Sequence, residues 1–337
     1  MKTVTIEGIT AKEVLSSLAV SFEVNKEENY GEYSLPVNKP KGEGMISGIN
    51  FPNGIGLFRF NLKLNEDYCI DFCSKIVHPF KFIYVIEGSI QHQFTNQEEK
   101  QVLEEGQSVI LGANYQSGNR IIFSENKAIR LIILDVDRKK FAEQLTFPLE
   151  EMDEIYHNIF GDTNAIRTIY HQGQYSLKMA YLVKELDSFQ SEGMERTSFH
   201  GAKALELLTY MLMLYRDDLE EEGQQKILRQ SDLKKIKNIV NHIDQKINEV
   251  ENISILAREE GISETKLREG FRILFNDTIY GYIQQRRLEY AMHLLLKSDN
   301  TIAEIVYAIG LNSRSHFSKI FKERYGKSPN AFRLNKK

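Results

Sequence analysis

No stretch of the sequence holds the roughly 18 consecutive apolar residues that a membrane-spanning helix needs, so no membrane partner is expected. Tryptophan is absent, proline occurs six times and cysteine only twice in 337 residues. The two cysteines, Cys69 and Cys73, fall in one strand-like segment about 13 Å apart, too far for a bridge within a strand. Reduced, buried thiols are expected, and the fold has to stand without a disulfide. The opening MKTVTIEGITAKEV lacks the basic flank, apolar core and small-residue cleavage site of a secretory signal, which points to the cytoplasm. A Gly-rich phosphate loop, a nucleophile elbow, HExxH and CxxC are all missing, so neither catalysis nor a cofactor is expected.

The length suits two or three domains, each with a core of its own. The overall charge of −4 argues weakly against a nucleic-acid partner, but its distribution is uneven. From Arg229 to Lys337 there are 20 Lys+Arg against 13 Asp+Glu, which leaves 23 against 34 for the rest. A basic module follows an acidic one, and only the former suits a polyanion.

From about Gly54 to Asp137, short β-rich runs such as GLFRFNLKL, FKFIYVI and AIRLIILDV alternate with turns such as Glu87-Gly88-Ser89, the pattern of a small antiparallel barrel or sandwich; we read a barrel. After Phe147-Pro148 the period becomes 3.6, predicting helices near 149–160, 173–190 and 197–219. In the last, Leu205, Leu208, Leu212, Tyr215 and Leu219 make a narrow apolar seam, suited to self-association as a homodimer or to packing on the chain's own barrel. The acidic run Asp217 to Glu222, then Gly223 and two glutamines, reads as the approach to a linker.

A repeat search is more informative. ILAREEGIS, Ile255 to Ser263, aligns with IVYAIGLN, Ile305 to Asn312, so that Gly261 falls opposite Gly310. A second apolar stripe follows each glycine: Leu267, Phe271 and Leu274, then Phe317, Ile320, Phe321 and Tyr325. A short helix, a glycine turn and a second helix is the layout of a helix-turn-helix, whose second helix enters the major groove. Thr301 with Glu304 fits a capping box, Ser263 and Ser313 suit the N-caps of the second helices, and Ser328-Pro329 opens a last short helix. Between the copies, about Asp277 to Lys297 reads as one helix of roughly 31 Å, near the 34 Å turn of B-DNA. A helical projection puts Thr265, Arg268, Glu269 and Arg272 opposite the first stripe, and Ser315, Ser318, Lys319 and Lys322 opposite the second, with Arg314 and His316 near that helix's start. Lys and Arg suit guanine or phosphate, Ser and Thr are permissive, and Glu accepts from cytosine N4. Double-stranded DNA is the expected partner.

With those residues in view, residues 232 to 335 resemble the DNA-binding domain of the AraC/XylS family. IAEIVYAIGLNSRSHFSKIFKERYGKSPNAFR follows that family's signature of a glycine-ended helix, a polar turn, a Phe-Ser-Lys/Arg helix and a closing Gly-x-Ser-Pro before an aromatic and an arginine. The resemblance implies base readers at Thr265, Glu269, Ser315 and Lys319, and activation through contact with RNA polymerase. Glu269 departs from the basic or neutral residue often found there.

The segment HPFKFIYVIEGSIQHQF resembles, more weakly, the cupin-like domain of such regulators. His78 stands without a second histidine, Phe80 taking its place, so a metal-dependent enzyme is not expected. His92 reads as a satisfied or exposed histidine. The expected chain is an α+β protein of several domains: a cupin-like small β-barrel over 1–147, a helical, dimerising segment over 148–222, a linker at 223–231, and over 232–337 an all-α DNA-binding domain with two helix-turn-helix units joined by a long helix. A small-molecule effector in the barrel is expected to control it, with Arg59, Tyr84, Gln91, Gln93 and Arg130 as candidate contacts. The alternative is a constitutive DNA-binding protein whose N-terminal half dimerises or holds a protein partner, which a barrel filled by large side chains would favour.

Overall fold

A computed structural model describes the chain except for residues 75–76, 174–175, 221–229, 249–251, 276, 299 and 335–337. Its contacts divide it into two units, Met1–Gln225 and Lys226–Lys337. Residues 223–229 of the expected linker lie outside the described residues, and its remaining two, Gln230 and Ser231, belong to a helix. Among the described residues no helix is long and apolar enough to cross a membrane, and no cluster of ligating residues could hold a metal ion.

In the first unit, strands β1 (Lys2–Ile6), β6 (Tyr68–Phe72), β11 (Asn119–Phe123), β8 (Ser89–Phe94) and β9 (Gln101–Glu104) form one sheet in that order. The other sheet runs β13 (Ile169–Gly173), β10 (Ser108–Gly112), β7 (Phe80–Glu87), β12 (Ala128–Val136), β5 (Ile55–Leu64), β4 (Gly42–Asn50), β3 (Glu32–Val37) and β2 (Glu27–Asn29). All pairings are antiparallel except β1 with β6. Helices α1 (Ala11–Phe22), α2 (Arg138–Glu143), α3 (Glu154–Phe160), α4 (Leu177–Ser188) and α5 (Gly193–Glu220) complete the unit.

Because strand side chains alternate, central strands of the larger sheet such as β5, β7 and β12 feed two cores. Phe58, Phe60 and Leu62 of β5, Ile83 and Val85 of β7, and Leu131 and Ile133 of β12 join residues of the smaller sheet, such as Ile121 and Phe123, in one apolar core, against which α1 also packs. Their neighbours Leu57, Phe82, Tyr84, Ile132 and Leu134 face the other way and pack with α3, α4 and α5. Thr10 and Glu13 close α1 with a capping box. Cys69 is buried and Cys73 half-buried, and no disulfide joins them.

The expected helix at 173–190 begins later, at Leu177, because the chain first adds β13 to the edge of the larger sheet. That strand, IYHQG, carries no clean alternation, so its pairing with β10 supplies what its sequence does not announce. Likewise Leu149–Glu151 form a single 3-10 turn before α3.

Three histidines are buried in this unit: His78, His92 and His200. The reading of His92 as satisfied or exposed holds only in part. One ring nitrogen donates to Asn119 Oδ1 at 3.1 Å, the ring is fully buried, and Nδ1 has no partner among the described residues. Burial holds all three pKa values down to about 4, with neighbouring cations adding to the effect at His78 and His200. An unfolded histidine takes up its proton near pH 6.5 and these folded ones only near 4, so their stability is complete above 6.5 and falls as pH drops through that window. The expected loss approaches about 1 kcal/mol per pH unit for each histidine. Calorimetric melting should show the unit's midpoint falling between pH 6.5 and 5, above the range where carboxylates titrate. An unchanged midpoint over that range would refute the buried, neutral assignment.

Candidate nucleic-acid interface

The second unit is helical: α6 (Gln230–Gln245), α7 (Ile253–Glu259), α8 (Glu264–Phe275), α9 (Ile279–Lys297), α10 (Ile302–Ala308), α11 (Arg314–Tyr325) and α12 (Pro329–Leu334). The duplication is visible as two helix pairs, α7 with α8 and α10 with α11. Each turn carries a glycine with positive φ, +63° at Gly261 and +72° at Gly310. Thr301 and Glu304 form the capping box at α10. Ser313 Oγ accepts from the His316 amide at 3.2 Å, and Ser263 Oγ from that of Lys266 at 3.3 Å. Ser328 Oγ does the same for Ala331 at 3.3 Å, starting α12.

The apolar stripes point inward. Leu267 and Phe271 of α8, and Phe317 and Phe321 of α11, are fully buried; the α11 pair packs with Leu288, Ala291 and Leu295 of α9. That burial orients the opposite faces. On α8, Thr265, Arg268 and Arg272 are exposed and Glu269 is half-buried. On α11, Arg314, Ser315, His316, Lys319 and Lys322 are exposed and Ser318 is half-buried.

Electrostatically the two helices differ. Two of the three cations of α8 are held within the protein: Lys266 donates to Asp232 at 2.7 Å, and Arg268 pairs with Glu264 at 3.3 Å with its guanidinium 5.8 Å from the centre of the Tyr280 ring. Helix α11 carries Arg314, Lys319, Lys322 and Arg324 against one carboxylate, Glu323. Sequence projection does not register Tyr280, 58 % exposed at the start of α9, because an aromatic residue there reads as core.

The expected effector residues are not brought together. Arg59, Tyr84 and Arg130 lie on the helix-facing side of the larger sheet, while Gln91 and Gln93 face outward from the smaller one, opposite buried Ile90, His92 and Phe94. Tyr84 donates to the Ser176 carbonyl at 3.3 Å, and Gln93 Nε2 to those of Gln97 and Glu98 at 2.8 and 3.2 Å. Arg130 pairs with Asp187. Of the α5 seam, Leu208 is buried in the chain's own sheet-and-helix core, Leu212 and Tyr215 pack beside it, Leu219 is half-buried and Leu205 is 46 % exposed.

Residues 256–335 match a family described as helix-turn-helix domain. The chain is 31 % identical over 98 residues to the regulatory protein SoxS of Escherichia coli K12, covering 29 % of this chain and 92 % of SoxS. It is 27 % identical over 126 residues to the transcriptional regulator ExsA of Pseudomonas aeruginosa, covering 37 % of this chain and 45 % of ExsA. Among solved structures, an AraC-type regulator from Chromobacterium violaceum aligns at 23 % identity with a TM-score of 0.30, over 32 % of this chain and 96 % of that one. A point variant of apo ToxT from Vibrio cholerae aligns at 15 % identity with a TM-score of 0.31, over 83 % of this chain and 97 % of ToxT.

Proposed function

The chain belongs to the AraC family of DNA-binding transcription regulators, and from that premise we propose that α8 and α11 read two successive major grooves on one face of a duplex. The observation that carries this reading is the doubled helix-glycine-helix unit, each copy turning a polar face away from its core. The 19 residues of α9 span about 28 Å, short of but near the 34 Å turn of B-DNA.

The two helices take different shares. With its four cations, α11 supplies most of the phosphate affinity. With Lys266 and Arg268 tied internally, α8 contributes discrimination through Thr265, Arg272 and Glu269, the last accepting from cytosine N4. Genome-wide footprinting on the organism's fragmented DNA tests this: discrete sites support it, and none would undo it. On such a site, Lys319→Ala should weaken specific binding by about 1–3 kcal/mol and relax preference at one position. Unchanged affinity and unchanged base preference in a gel-shift titration would remove Lys319 from the interface.

Effector control of this binding, a homodimer and contact with RNA polymerase belong to the same proposal. A constitutive protein is the second reading, favoured by how fully Phe58, Phe60, Tyr68, Phe94 and Phe123 fill the space between the sheets. Operator affinity across a metabolite panel separates the two readings.

A further inference from the structure

Away from that filled core, the helix-facing side of the larger sheet holds an ionic cluster that the DNA-binding reading leaves unused. Glu32 of β3 is gripped from two sides. Arg59 Nη2 donates to its Oε1 at 3.1 Å, while Arg196 of α5 donates from Nε to Oε2 at 2.7 Å and from Nη2 to Oε1 at 3.3 Å. Arg59 Nε donates to Ser47 Oγ at 3.2 Å. Beside them His200 of α5 is fully buried, its Nδ1 3.9 Å from Glu32 Oε2, and neither ring nitrogen has a hydrogen-bond partner among the described residues.

Two features of this cluster are unbalanced. Arg59 and Arg196 share one carboxylate, and the other carboxylate that acts on Arg59, Asp187, is itself paired with Arg130. Among the described residues, three guanidinium groups therefore share two carboxylates beside a neutral imidazole, one positive charge more than the carboxylates paired with them, in a partly desolvated site. Native structures rarely leave a buried imidazole unpaired without use, because the desolvated nitrogens then have no hydrogen bond to offset the loss of water. Both are remedied by one planar or tetrahedral oxyanion, the group that arginine forks bind best.

We propose that Arg59, Arg196 and His200 form a binding site for the carboxylate or phosphate group of a small molecule, with Glu32 as the internal carboxylate that competes for it. The proposal rests on the effector-controlled reading above and gives the effector a chemical class and a place outside the core. An oxyanion bound there joins β5 to α5, the helix that ends at Glu220 just ahead in sequence of the DNA-binding unit. A ligand that ties these elements differently from Glu32 has a route to bias DNA binding, provided that it prefers one of two states.

The test is calorimetric titration of the full chain, at constant ionic strength in chloride, with inorganic phosphate, acetate and benzoate as probes. At least one is expected to bind saturably at one site per chain, and phosphate against the two carboxylates distinguishes a phosphorylated from a carboxylic ligand. Arg196→Met should weaken that binding by about tenfold. Glu32→Gln should tighten it several-fold, because it removes the competitor and no donor; that variant decides the matter where Arg196→Met does not fold. Saturable binding by none of the three probes, or binding indifferent to both substitutions, overturns the site. Operator affinity measured on the same samples separates the two claims: binding that leaves it unchanged upholds the site and overturns effector control, and a chain that binds the probe but no DNA overturns the regulator reading alone.

Discussion

Substituting alanine for Gly310 is expected to destabilise the DNA-binding unit by about 2–5 kcal/mol and abolish operator binding at temperatures where the parent is folded. Two penalties combine. The backbone there has φ +72°, a left-handed conformation that costs an L-residue about 1–2 kcal/mol. The added Cβ would also lie 2.7 Å from the carbonyl oxygen of Asn248 and 2.9 Å from its Cα, backbone atoms that cannot swing aside as a side-chain end can. Gly261, the equivalent glycine of the first repeat, is the internal control. Its φ is +63°, but a Cβ would meet only the end of the Lys235 side chain at 3.8 Å. Gly261→Ala should therefore cost only about 1–2 kcal/mol. Urea denaturation of both variants measures the difference directly. Equal losses would mean that the turn of the second repeat does not press against the segment after α6.

The second large effect is expected at Arg138, whose side chain is fully enclosed. Its guanidinium donates to the carbonyls of His78, Asp162 and Ala113 at 2.8, 3.0 and 2.8 Å and to Asp162 Oδ2 at 2.9 Å, and lies 3.9 Å from the centre of the Phe80 ring. One side chain thereby joins the chain before β7, the loop after β10 and the turn after α3. Arg138→Met would leave a buried carboxylate without its cation and take a donor from three carbonyls, of which that of Asp162 keeps the Ala165 amide at 3.4 Å, a loss of about 3–5 kcal/mol. Asp162→Asn should cost less, because its one amide oxygen can still accept from Arg138 and from the Arg167 amide, although its NH2 group then faces the Ile166 amide, which Asp162 Oδ1 accepts from at 2.8 Å. Arg138→Lys should fall nearer to Met than to the parent, since an ammonium cannot reproduce the planar fork. Denaturant midpoints for the three variants establish the order, and a small effect of Arg138→Met would remove the residue from this bracing role.

Much of the DNA-binding unit is legible from local sequence. The paired glycines, the stripes Leu267/Phe271 and Phe317/Phe321, and the Thr301/Glu304 capping box all act within a few residues of one another, and each leaves a mark at fixed spacing. The N-terminal unit is less open to such reading. Alternation in β5 and β7 says that Arg59 and Tyr84 stand on the faces opposite Phe58 and Ile83, but not which face looks into the space between the sheets. The seam of α5 poses the same problem, since a stripe such as Leu208, Leu212 and Tyr215 serves a partner helix or the chain's own sheet equally well.

Taken by itself, then, the sequence determined the doubled helix-turn-helix, its inward stripes, its basic balance and its membership in a family of regulators, because those properties are written at short range or in composition. Only the tertiary structure decided that β13 joins the larger sheet, that Leu208, Leu212 and Tyr215 of α5 pack on their own unit, and that Glu32 meets Arg196, 164 residues away in sequence. Pairings at that separation depend on register and packing throughout the unit, and no periodicity within one segment encodes them.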